Sequence, residues 1–511
     1  MKLHVSVGLA ILFLSACVAF AERINHEGRI LGPPPVVTEA VLFNTTNADA
    51  ILAAMQICPV TSAWNENIST RPVLTNSDAM IAQIIADLCA DRRALIAFQE
   101  MNFALVPTNQ PLVPILFTDY PDESDLNGGS YPSGLYPIPT NQPIEGWPSQ
   151  VSYTLAVWQA TDDGSDRHAI MVQPENGNLF ETWRGLRTGT TWSAANGAVF
   201  SLNSNALRPA GWTSGYAAGL PMFPALPRFD ECERGVVEHA CRIVVKRTRY
   251  NTYLYPANHY ASVSSNTSTN LPAMGQRVRL KSSFVIPANW TKQEKAVLTA
   301  LKKYGALVSD NGNFFSISVT PDDRWPAGCF DHFTSIGITN FEIIQTTGPN
   351  EGPRAGGAPS ASAGPDATVV VGQPFSLQGF VSFTNPVTAI QWKRYSGPTN
   401  LTFANAALTN STVTFNTPGT FTLMLSADDG VHAVAFDAVV ITAAAAQAPV
   451  SLTIALVGTN VNLNWTGGNA PFVIEQADSV TGAWSSVVTN AQPFFTLPIT
   501  SASRFFRLRG S

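Results

Sequence analysis

Residues able to do chemistry gather in the first two thirds of the chain. In DRHAIMVQPENGNLFETW, Asn176-Gly177 is a hairpin signal; a turn there predicts that Val172 faces Glu181 and Ile170 faces Trp183. His168, Ile170, Val172, Glu181 and Trp183 would then share one face, because alternate strand residues do. An indole stacks on a sugar ring, while carboxylate and imidazole hydrogen-bond hydroxyls or move protons. The same set also describes an ordinary satisfied core. Glu181, Asp230 and Glu231 are the candidate carboxylates for glycoside hydrolysis. A uronate lyase would instead want a base and a cation, for which His168 or His259 with Arg242 or Arg279 would serve. His239 in VVEHACRIV shares an apolar face with Val237, Cys241, Ile243 and Val245 and reads as structural.

The second constellation is basic. Between Val236 and Lys281 stand seven cations and one acid, in a chain whose formal net charge is −6. Arg277, Arg279 and Lys281 alternate in QRVRLKS, so they share a strand face, and Arg242 is expected on a neighbouring strand. Like charges side by side are costly unless something answers them. Internal carboxylates would do so; so would an anionic polysaccharide, with Trp183 as stacking surface. The histidines have no metal-ligand spacing, so no metal is expected. There is no GxSxG, no P-loop and no GxGxxG after a strand, and no cofactor is expected.

Several kinds of element must position these residues. Ser77 is expected to cap a helix over Asp78–Leu88, with Met80, Ile81, Ile84, Ile85 and Leu88 at helical spacing. Thr291 and Glu294 form a capping box ahead of Val297, Leu298, Leu301 and Tyr304, and Gly305 ends that helix. VSYTLAVWQ, HAIMVQ, LFETW, AVFSLN, VVEHACRIVVK, QRVRLKSSF and FFSISV read as strands. The expected fold of 22–350 is a large, jelly-roll-like β-sandwich with a few peripheral helices. Gly348–Gly364 is rich in Gly, Pro and Ser and reads as a linker, centred on 351–360.

Charged residues make up 13% of the chain against a usual share of roughly 25%. Lys2, the apolar run Val5–Leu14 and Ala19-Phe20-Ala21 read as a signal peptide over 1–21; Leu14-Ser15-Ala16-Cys17 also fits a lipobox, which would leave a lipidated Cys17. The protein is thus expected to be secreted, or held at the cell surface or in the periplasm. Export favours disulfides, with Cys232–Cys241 and Cys58–Cys89 the expected pairs. Nucleic acid is not an expected partner.

Residues 361–443 run strand after strand. SAGPDATVVVGQPFSLQG, IQWKRYSGP, LTFANA and GTFTLMLSADDG resemble a PKD-type immunoglobulin-like domain, with Trp392 at the family's core tryptophan and YSGP where the family has FGDG. The resemblance implies a spacer or adhesion module without catalysis. Residues 449–511, with SLTIALVGTNVNLNWTGG and RFFRLRG, are similar to a small fibronectin-III-like sandwich; Trp465 and Trp484 are expected to serve its core. GLPMFPALPRFDE, YPANHYAS, LPAMGQRVRLK and ALKKYGALVSDNG resemble an uncharacterised group of exported bacterial proteins, which implies no activity. Two function classes stay open. One is a modular exported protein that binds extracellular glycan or cell-surface material. The other is a polysaccharide-degrading enzyme, a glycoside hydrolase or uronate lyase.

Overall fold

The computed structural model describes residues 22–509 except 387, 447, 469, 491 and 501–503. The expected signal peptide and Cys17 lie outside the described residues. The chain is mainly β and divides into two compact units. One runs to Ala361 and includes Val381–Ile390 and Ser426–Asp437; the other comprises Ser362–Phe380, Gln391–Leu425 and Ala438–Ser511.

The first unit is built around a five-stranded sheet in the order Val41–Leu42, Ala104–Leu105, Ala169–Gln173, Asn178–Trp183, Asn196–Ser201. A four-stranded sheet, Ser133–Tyr136, Val113–Phe117, Thr191–Ala194 and Leu186–Thr188, lies against it. Met171 and Phe180 from the first meet Ile115, Phe117, Tyr136 and Trp192 from the second in one buried cluster. The alternate residues Leu105, Ile170, Val172 and Leu179 belong to a second, larger core. Period-2 alternation thus feeds both faces of the central sheet, and every residue of Ala169–Gln173 is buried. That larger core also holds Ile243, Val278, Leu280, Val308 and Ile317. They come from the sheet Cys241–Val245, Ala306–Asn311, Arg277–Leu280, Phe341–Ile343 and from the parallel pair Phe315–Val319 with Leu95–Gln99.

Several local expectations are corrected. Gly177, at φ +73°, donates its N–H to Gln173 O at 2.9 Å, so the hairpin loop is longer than Asn176-Gly177. Ile170 therefore pairs with Glu181, and Val172 with Leu179. A slip of two residues leaves the faces unchanged. VSYTLAVWQ is not a strand but ends in a short helix, Leu155–Gln159; Leu155, Trp158 and Gln159 turn inward at helical spacing while Val157 is exposed. Ser77 begins its helix rather than capping it, and its hydroxyl accepts a bond from Ile343 N at 2.9 Å. The Thr291–Glu294 capping box is present as read, and Gly305 follows the helix at φ +66°.

No disulfide forms among the described cysteines. Cys58 is buried while Cys89 is exposed; Cys232 and Cys241 are buried as free thiols in the larger core. Burial pushes the Cys58 thiol up to about 12. Nor is the whole of 351–360 a free tether. Gly352–Arg354 forms a turn, and Arg354 pairs with Glu66 at 3.0 Å, donates to Thr61 O and lies over the Tyr255 ring.

Beyond 361, Ala367–Val370, Ala435–Ala444, Gly419–Asp428 and Ala389–Ser396 form one sheet, and Pro374–Ser376, Thr412–Phe415 and Leu401–Phe403 another. Trp392 is buried there and its indole donates to Thr409 O at 3.0 Å. Two three-stranded sheets between 451 and 509 enclose Leu463, Trp465, Phe472, Ile474 and Leu497. Trp484 is half-buried under the Arg507 guanidinium rather than in that cluster. No helix among the described residues is long and apolar enough to cross a membrane.

Candidate functional site

Four strands of the first unit bring polar side chains to one cleft of about 310 Å³. Glu100 follows Leu95–Gln99, Arg242 stands in Cys241–Val245, Asp310 near the end of Ala306–Asn311, and Ser316 in Phe315–Val319. Asp166 and His168 enter from just before Ala169–Gln173, while Glu145, Gln150 and Tyr216 come from connecting segments. Phe98 and Phe314, edge to face with centroids 5.0 Å apart, supply aromatic surface.

The cations of the cleft are already engaged. Arg242 pairs with Glu100 at 2.6 Å and donates Nε–H to Ser318 Oγ at 2.7 Å; its guanidinium lies over the Tyr216 ring. His168 Nδ1 meets Glu145 Oε2 at 2.7 Å and Nε2 meets Gly215 O at 3.0 Å. Burial opposes charge on His168, but Glu145 outweighs it and the imidazolium persists up to about 9. Burial also pushes Glu100 upward, against the pull of Arg242.

Two carboxylates of the cleft have only neutral donors. Asp310 accepts from Asn311 N at 2.7 Å and Ala217 N at 3.3 Å; Asp166 accepts from the Trp183 indole at 3.0 Å. Burial, with Asp166 adding to it, raises Asp310 to about 6. The Tyr216 hydroxyl is buried without a partner. Among the described residues no group of three or more acidic, histidine or cysteine side chains is set to hold a metal ion.

Of the residues expected from sequence, His168 and Arg242 line this cleft, and Trp183 touches it through Asp166. Glu181 does not. It is fully buried and accepts bonds from Met222 N and Phe223 N at 2.9 Å, which fixes the turn Phe223–Ala225; burial raises it to about 7. Asp230 pairs with Arg234, while Glu231 pairs with Arg228 at 2.8 Å and meets His239 at 3.2 Å. His259 is half-buried against Tyr260, and its Nδ1 meets Ala217 O at 2.6 Å. These three do not join the cleft.

The basic row is corrected as well. Ala306–Asn311 separates the strand of Arg242 from that of Arg277 and Arg279, so the two strands are not the expected neighbours, and Arg242 and Arg277 stand on either side of Leu307. Arg277 donates to Ala63 O and, at 2.8 Å, to Tyr304 O. Arg279 pairs with Glu342 at 2.6 Å and donates to Ile68 O, Ser69 O and Arg71 O. Both are buried. The irregular segment 63–71 lies over them, and its carbonyls lack a ladder of their own; the guanidinium groups supply the missing donors. Lys281 follows the end of that strand and is half-buried. Sequence reasoning missed Glu100, Glu145, Asp166, Tyr216 and Asp310; the one local signal was Asp166, two positions before His168.

No family model matches the chain, and no curated protein matches it. Solved structures match parts of it. A PKD domain from the KIAA 1837 protein is 24% identical, with 19% of this chain and 95% of that one covered, at a TM-score of 0.17. Titin domains A168–A170 are 15% identical over 33% of this chain and 73% of that one, TM-score 0.20. Fibronectin(III)-like modules of CbhA from Clostridium thermocellum are 7% identical over 30% and 84%, TM-score 0.16. TM-scores of this size carry no argument about function; the modular β architecture rests on the strands themselves.

Proposed function

We propose that this is an exported modular protein whose first unit binds extracellular glycan in the cleft of Glu100, Glu145, Asp166 and Asp310, with 361–443 and 449–511 as spacer or adhesion modules. The observation that carries the reading is the cleft's chemistry: fixed acceptors, an unpartnered Tyr216 hydroxyl and the aromatic surface of Phe98 and Phe314 around one cavity. Sugars present many hydroxyl donors and flat C–H faces, which such a lining matches. The buried partners of Arg277 and Arg279 remove the argument for a ligand on that strand. A glycan panel probed with the full chain tests the proposal. Binding that weakens at least about tenfold in Gln150→Ala with Phe314→Ala supports it; a panel without a hit, or a hit indifferent to those changes, refutes it.

A second reading, cleavage of the bound glycan, is favoured by one feature. Asp310 keeps its proton up to about 6 and faces the same cavity as Asp166, and acid–base cleavage needs a protonated carboxyl with a second carboxyl near it. Release of reducing ends by wild type, lost in Asp310→Asn, would establish it.

A further inference from the structure

We infer that the glycan taken by the cleft carries free amino groups, with an ammonium facing Asp166 and Asp310. The inference rests on the reading of the cleft as a glycan site and adds the chemical class of the ligand. The charged side chains of the cleft are four carboxylates, one arginine and one histidine. Each cation already has its carboxylate: Arg242 has Glu100 and His168 has Glu145. Asp166 and Asp310 are the remainder, and among the described residues no cation stands within ion-pair distance of either; an indole and two backbone N–H groups are their donors.

Hydroxyl donors from a neutral sugar would satisfy part of this acceptor surplus, but an ammonium answers it in charge as well as in hydrogen bonds. An acidic sugar would bring like charge against both carboxylates, which suppresses binding. A second observation points to a missing ligand. Tyr216 lines the same cleft, is 1% exposed, and its hydroxyl has no partner. Buried hydroxyls are ordinarily bonded. A ligand donor in the cleft would supply the bond, with Arg242 stacked behind the Tyr216 ring.

Calorimetric titration of the full chain with three oligosaccharide series of equal length tests this: glucosamine oligomers, their N-acetylated counterparts and uronate oligomers. The glucosamine series should bind about tenfold tighter than the N-acetylated one or better, with uronates weakest. Raised salt should erode that preference. Asp166→Asn, at an exposed position, and Asp310→Asn should each cut the amine-to-acetyl ratio several-fold. Equal or tighter binding of the N-acetylated or uronate series, or a ratio unchanged in both variants, overturns the inference and leaves the glycan reading standing. No binding of any series overturns both. Tyr216→Phe removes only the unpartnered hydroxyl; a variant that melts like wild type but binds glucosamine oligomers more weakly supports the inference, and one with unchanged affinity counts against it.

Discussion

Glu181 shows how a residue chosen for chemistry serves structure. Its carboxylate is fully buried and takes its hydrogen bonds from backbone donors of the turn at Phe223. Burial raises its pKa from 4.5 to about 7, so the folded state binds its proton more tightly than the unfolded state does. The stability this lends is fully present below about 4.5 and is lost as pH rises through about 7. On the scale of 1.36 kcal/mol per unit, the loss is on the order of 3 kcal/mol. Urea unfolding between pH 4.5 and 8 should therefore show wild-type stability falling relative to Glu181→Gln, the two curves close together at pH 4.5 and separating toward high pH. A constant gap across that range would contradict the assignment. The sequence places Glu181 correctly on one strand face with His168 and Ile170. What it lacks is depth: a face that looks open in a two-strand hairpin is covered once a second core packs on it.

At the scale of elements, the strand Arg277–Leu280 repeats that lesson with charge. Alternation identifies which side chains share a face, and Arg277 and Arg279 do align. Whether the face meets solvent, ligand or chain depends on segment 63–71, far away in sequence. Arg279→Ala would leave Glu342 without its partner and the Ser69 and Arg71 carbonyls without this donor. It should destabilise the first unit by about 3 kcal/mol, read by chemical denaturation. Thr291→Ala, which opens the capping box ahead of Lys292–Lys303, should cost about 1 kcal/mol. That box was legible because its signals lie within four residues. The cleft was not, because its residues come from segments between 98 and 316 and no local period links them.

At the scale of the whole molecule, the strands beyond 361 were the most legible part, since they are short, alternating and separated by turns. The segment before them, expected from composition to be a linker, is held in place at Arg354. Arg354 is gripped by Glu66, Thr61 O, Thr347 and Tyr255, and the Arg354–Glu66 pair is buried on both sides. Arg354→Ala should free this stretch and speed limited proteolysis between 345 and 360; an unchanged cleavage rate would return the segment to the status of an ordinary tether. The central claim is that the first unit receives glycan in one acceptor-rich cleft and not on the basic strand. Hydrogen–deuterium exchange of the full chain, with and without the best-binding oligosaccharide, addresses it directly. The account predicts slowed exchange at 98–101, 145–150, 166–168, 214–217 and 310–316, with 277–281 unchanged. Slowed exchange confined to 277–281 or to residues beyond 361, with the cleft segments unaffected, would contradict it.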